Sequence, residues 1–341
     1  MSEDTPKIST TFINLQSDFG FKRSFGSTKY QINVIKLIEA ALGDEINVER
    51  IVPYEENKEY DSVRFHDKEV LPSEQDGKRI LYDVYFTMKV ESQASLFKPA
   101  HLHKDLFGKE VEHHFILEMQ NVYTPPFEDR MTYYTSKMIA RQGKAGWNYD
   151  LDPVVLMAVT DFDFPHLCQQ LVHEFELREK TSGESLTKKL RMLFFSLRQL
   201  PERWDDCNTE LERRLYLIKH MDKMEKNSKP YLQGGYEEMF DSAESSNVVG
   251  EEAVAYSRSL AALREVQAGL DYRFEEGRAE GRAEGRAVGL AEGRAEGRAE
   301  GRAEGRAEGR EMIARKLKKE GVDLEFIAMV TDLPIDKVRE L

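Results

Sequence analysis

The sequence predicts an α/β fold, a mixed sheet flanked by helices, followed by a helical repeat segment and a small all-α tail. Three observations carry this. Residues 80–86 (ILYDVYF) and 114–120 (HFILEMQ) are short, alternating and rich in β-branched or aromatic side chains, the signature of strands. Residues 153–159 (PVVLMAV) form a continuous apolar run, which suits a strand covered on both faces. Residues 31–42 and 127–142 place apolar side chains at helical spacing, so each can cover a sheet with one stripe.

In chain order, residues 12–27 alternate apolar side chains with Asp18, Lys22 and Arg23, and Gly20 and Gly26 punctuate them. The helix over 31–42 carries Val34, Ile38, Ala41 and Leu42 on one stripe, with Gly43 as its stop. Glu39 lies off that stripe and reads as a solvated helix carboxylate. A strand is expected over 46–54, ended by Pro53. A charged stretch then leads to the turn signal Asp76-Gly77. Residues 91–112 separate the two strands and read as a long loop. His101, His103, His113 and His114 fall in or beside it, without further ligands at a metal-binding spacing.

Pro125-Pro126 breaks the chain and starts the helix over 127–142, closed by Gly143. Phe127, Met131, Tyr134 and Met138 form its core stripe. Arg130, Tyr133, Lys137 and Arg141 form a polar stripe beside it, which is either a solvated basic face or a source of phosphate contacts. Two strands are expected over 171–179 and 186–197, joined by Thr181-Ser182-Gly183, and a helix over 211–224.

From Gly277 to Gly309 glycine recurs at every fourth position in the unit Gly-Arg-Ala-Glu. Like charges four apart oppose a lone helix, and each helical glycine costs about 1 kcal/mol relative to alanine. The segment is therefore either a marginal helix that self-associates or a polar linker. The helical composition of residues 257–276, which leads straight into it, favours the first. Beyond it, a helix stopped by Gly321, a second capped by Asp323 and a third started by Pro334 complete the tail.

Composition narrows the class. With 341 residues, 40 % of them hydrophobic, the chain can bury a sizeable core. No apolar run approaches the roughly 20 residues of a membrane span. The N-terminus lacks the pattern of a secretory signal. Cys168 and Cys207 are too few for a disulfide framework, so a cytoplasmic location is expected. A net charge of −13 argues against a protein that coats nucleic acid broadly, though not against a local groove that binds a phosphodiester.

Strand periodicity puts Glu118 and Gln120 on one face, and Asp83 joins them if the two strands are neighbours. Two carboxylates and an amide around one point suit a hard divalent cation such as Mg²⁺, which acidifies a bound water and stabilises charge on a phosphoryl oxygen. The competing reading is an ordinary sheet whose polar side chains reach solvent.

Several of these residues in series resemble a known family. They are Asp18 with Phe21-Lys22 and Phe25-Gly26, then Asp83-Val84, then Ile116-Leu117-Glu118-Met119-Gln120. Phe127, Arg130, Tyr133-Tyr134, Gln142, Trp147-Asn148-Tyr149 and Pro153-Val154 follow. In order and spacing the series resembles the Rpn family of recombination-promoting nucleases, also labelled transposases, within the PD-(D/E)XK superfamily. The resemblance runs from about Thr11 to Met224. It implies a restriction-endonuclease-like α/β core over residues 1–245, with the repeat linker at 246–310 and a small helical unit at 311–341.

It also implies a Mg²⁺-dependent DNA endonuclease, with other divalent cations as alternatives, linked to recombination or mobile elements. Asp83 and Glu118 would hold the metal and Gln120 would stand in the place of the superfamily lysine. Arg130 and Lys137 would contact phosphates. DNA and further copies of the chain, held through the repeat and tail, would be its partners, with no membrane involved. Tyr82 replaces the superfamily proline, which does no chemistry, and Gln120 carries no positive charge. The alternative is a degenerate nuclease fold kept as a DNA-binding or oligomerisation module.

Overall fold

The computed structural model describes residues 8–43, 51–52, 64–65, 69–70, 80–81, 83–91, 110–143, 146 and 148–341. The chain forms two compact units, Met1–Val266 and Gln267–Leu341.

The first unit is built on a mixed sheet. Its short strands are β1 (Ile51–Val52), β2 (Arg64–Phe65), β3 (Glu69–Val70) and β4 (Ile80–Leu81). The longer ones are β5 (Val84–Glu91), β6 (Glu110–Gln120), β7 (Val154–Thr160), β8 (Val172–Arg178) and β9 (Ser185–Ser196). The order across the sheet is β1-β5-β6-β7-β9-β8; β2 also pairs with β5, while β3 and β4 pair separately. β5 and β6 are antiparallel, with Val84 opposite Leu117 and Lys89 opposite Glu112. β7 runs parallel to both β6 and β9.

Alternation along the strands sorts the core into two layers. Val84, Phe86, Phe115, Leu117, Val155 and Met157 face one side. Helices α1 (Asp18–Phe25) and α2 (Gln31–Leu42) cover that side. So do α4 (Glu210–His220), α6 (Glu237–Ala243), which follows the short α5 (Lys229–Gln233), and the first turns of α7 (Glu251–Lys319). Tyr85, Ile116, Leu156 and Ala158 face the other side, under α3 (Phe127–Ala140). Every residue of β7 is buried, as the apolar run predicts. The structure thus has the α/β architecture read from the sequence.

Three boundaries depart from the sequence reading. The segment 80–86 is not one strand: β4 ends at Leu81, Asp83 lies in a bend, and β5 begins at Val84. β6 starts at Glu110, inside the expected loop, because its charged residues alternate with apolar ones and Glu112 faces Lys89 across the ladder. The expected strand over 46–54 is described only as β1; its other residues, like His101, His103, Tyr82 and Trp147, lie outside the described residues. Glu39 pairs with Lys36 on α2, as a solvated helix carboxylate does.

In the second unit the remainder of α7 carries the repeat as helix, and every residue from 267 to 308 is exposed. After Lys319, α8 (Leu324–Thr331) starts at an N-cap where Asp323 accepts from the amides of Glu325 and Phe326. Pro334 precedes α9 (Ile335–Glu340). Ala314, Ile327 and Val338 form a small core there, and Lys337 pairs with Glu311.

Candidate active site

Asp83 lies in the bend just before β5, one residue beyond the Val84–Leu117 pair, where it interlocks with Glu118. The Asp83 amide donates to Glu118 Oε1 at 3.2 Å, and the Met119 amide donates to Asp83 Oδ2 at 2.9 Å. Glu118 is 3 % exposed, because α3 lies over its face of the sheet. Burial raises the Glu118 pKa well above its ordinary value, and the Asp83 charge raises it further. Burial likewise raises that of Asp83, against the lowering effects of the Met119 amide and Lys22. The site therefore holds two adjacent carboxylates whose charge the surrounding protein offsets only in part.

Gln120 follows Glu118 on the same face. Its Nε2 donates to Glu118 Oε2 at 3.5 Å, while Arg130 Nη2 on α3 donates to Gln120 Oε1 at 2.7 Å. The arginine thereby fixes which end of the amide faces the carboxylates. Arg130 also lies over the Phe127 ring, 5.7 Å from its centroid. Lys137 stands two turns further along α3, about 10 Å away along the axis, with its ammonium over the Tyr133 ring. Burial and the Glu118 charge raise the Tyr134 pKa.

A further group joins the site that the sequence reading gave no role. Lys22 on α1 pairs with Asp18 and places Nζ 3.5 Å from Asp83 Oδ1. Two glycines permit this approach. A side chain at Gly20 would stand 2.1 Å from the Asn14 carbonyl oxygen. One at Gly26 would meet the Lys22 carbonyl at 2.8 Å and Val84 at 3.2 Å. The signal in the sequence was the Asp18-Lys22 pair, one helical turn apart.

Beside the cluster opens a cavity of about 730 Å³, lined by Asp18, Gln120, Asn121, Arg130, Arg258 and Ser259. Among the described residues no group of three or more His, Cys, Asp or Glu is arranged to hold a metal. His113 and His114 lie within β6, where His114 Nδ1 meets the Tyr85 hydroxyl at 2.9 Å. The donor set of Asp83 and Glu118 still fits a hard cation. Mg²⁺ is held by one or two carboxylates with waters and substrate phosphates completing its shell, and a divalent charge would relieve the repulsion between them.

A mixed α/β sheet flanked by helices, with this acidic pair where β5 begins and β6 ends, is consistent with the PD-(D/E)XK nuclease fold. Residues 105–273 match the family described as PD-(D/E)XK nuclease family transposase. Glu118, Gln120, Arg130 and Lys137 lie inside the match; Lys22 and Asp83 precede it. No curated protein and no solved structure matches the chain. No helix among the described residues is long and apolar enough to cross a membrane.

Proposed function

We propose that this protein is a divalent-cation-dependent DNA endonuclease acting in recombination or the movement of mobile elements. The observation that carries this reading is the interlocked pair of half-buried Asp83 and buried Glu118, whose pKa values are both raised. Such a pair is a poor structural element by itself and a good ligand set for Mg²⁺. The bound cation would supply an acidified water and stabilise charge on the phosphoryl oxygens.

The chain's own residues then have distinct tasks. Asp83 and Glu118 hold the cation. Arg130 orients Gln120, which presents N–H rather than carbonyl to the centre and so serves as a hydrogen-bond donor. The cavity beside it, with Arg130 and the exposed Arg258 on its walls, takes the phosphodiester backbone. Lys137 extends that basic face along α3.

The nuclease domain of this reading spans residues 1–245, the repeat linker 246–310 and the helical tail 311–341. Two free cysteines, Cys168 and Cys207, suit the reducing cytoplasm. The repeat is an association element for a second copy of the chain. A helix with no buried face lacks the packing that stabilises most protein helices. Apart from the helix's own backbone, no atom of the described residues lies within 4 Å of a side chain built at any repeat glycine, so no contact among them accounts for the glycines. Close approach by another helix would.

Supercoiled plasmid incubated with Mg²⁺ tests the activity. The wild type is expected to nick it, and Asp83→Ala and Glu118→Ala to lose nicking while remaining folded. Equal nicking by all three variants overturns the assignment. The neutral Gln120 favours a second reading, a fold that binds DNA without cutting it. Plasmid retarded equally by all three, and cut by none, would support that one.

A further inference from the structure

We propose that Lys22 is the catalytic cation of this centre, supplying from α1 the positive charge that Gln120 does not. The inference rests on Asp83 and Glu118 being the reaction centre. A phosphoryl transfer builds negative charge on oxygens around phosphorus, and a fixed cation aimed there lowers the barrier. Gln120 is neutral. Arg130 stands beyond Gln120 and donates Nη2 to its carbonyl oxygen at 2.7 Å, so it meets the carboxylates only through that amide. Lys22 is placed differently. Its ammonium lies 3.5 Å from Asp83 Oδ1, and Lys22 lines a second open cavity, of about 530 Å³, which shares Asp18 and Ser259 with the one beside Gln120.

Its position is built rather than incidental. Phe21 and Phe25, on either side of it in α1, are buried in the core under β5. Ser17 caps the helix by accepting from the Gly20 amide, and the Phe19 amide donates to Ser259 on α7. Gly20 and Gly26 bring the helix close to the chain around it. Asp18, one turn back, also pairs with the ammonium. Two of the three N–H donors of Lys22 thus face carboxylates. The third is available to a phosphoryl oxygen or to the attacking water. The charge acts as a fixed electrostatic group; it need not gain or lose a proton.

Plasmid cleavage, melting and Mg²⁺ calorimetry on full-length wild type, Lys22→Met, Lys22→Arg and Asp83→Ala test this, with Lys22→Gln as a second neutral variant should Lys22→Met not fold. The neutral variants are expected to lower kcat about 100-fold, the size of effect seen when one charge-stabilising donor is removed. KM should change little. Lys22→Arg, which keeps the charge, should stay within about tenfold of wild type. Mg²⁺ affinity of the neutral variants should be unchanged or tighter, because the ammonium and the metal compete for the Asp83 charge.

Weaker Mg²⁺ binding by the neutral variants overturns the proposal, because it would make Lys22 only a support for Asp83. So does cleavage near the wild-type rate in either neutral variant. If that result accompanies an inactive Asp83→Ala, the Lys22 inference alone fails. If Asp83→Ala itself cleaves normally, the reaction centre is elsewhere and both readings fall.

Discussion

Adding Mg²⁺ to the metal-free protein should raise its melting temperature, and the size of the rise follows from linkage. A ligand at ten times its dissociation constant stabilises the folded state by about 1.4 kcal/mol. The unit carrying the site spans Met1–Val266. At that size 1 kcal/mol moves the midpoint by roughly 2–4 °C, so a rise of about 3–6 °C is expected. Glu118→Gln should abolish the rise, since a neutral amide leaves one carboxylate to hold the cation. The same substitution should not lower the melting temperature without metal. Burial and Asp83 raise the Glu118 pKa, so its ionised form opposes folding increasingly as pH climbs above the ordinary value of 4.5. Gln removes that opposition while its carbonyl can still accept from the Asp83 amide. Scanning calorimetry with and without Mg²⁺ reads both effects. An equal rise in wild type and Glu118→Gln, or none in either, refutes the reasoning.

Phe127→Ala should cost about 3–5 kcal/mol in urea unfolding, because its fully buried ring packs within 6 Å of the rings of Phe162, Phe164 and Phe194. Gly20→Ala should destabilise by about 1–3 kcal/mol or more, since the new Cβ would stand 2.1 Å from the Asn14 carbonyl oxygen; an unchanged melting temperature would contradict that close approach. Burial holds His113 and His220 at about 4, with Lys219 and Lys223 adding to the effect at His220. The unfolded chain therefore takes up these protons first, and stability should fall as pH drops from 6.5 to about 4, by roughly 1–3 kcal/mol per ring; His220→Gln should flatten part of that slope in urea melts. Replacing the nine repeat glycines by alanine should raise helix content by circular dichroism and weaken self-association in sedimentation.

Much of this fold was legible because local pattern and burial agree. α2 ends at Gly43 and β7 is buried along its whole length, as the helical stripe and the apolar run require. The site was legible in part. Period-two alternation placed Glu118 and Gln120 together, and the structure keeps them on one face. Asp83 was expected within a strand, whereas it sits in the bend before one; the aromatic residues on both sides of it disguised the break. Lys22 stood in plain view beside Asp18, yet its meeting with Asp83 depends on how α1 packs on the sheet, which local spacing does not encode. The first half of β6 read as loop because its charges hid an alternation that only its pairing with β5 exposes. The repeat left helix and linker open because four-residue spacing brings like charges together on a helix while alanine and arginine favour one.

The proposed chemistry requires the carboxylates of Asp83 and Glu118 to share one cation. Crystals soaked in Mn²⁺ and measured at its absorption edge would locate that ion directly. An anomalous peak is expected about 2.0–2.2 Å from an oxygen of each carboxylate; a peak bound by neither residue, or an empty site at saturating Mn²⁺, would rule out a shared cation.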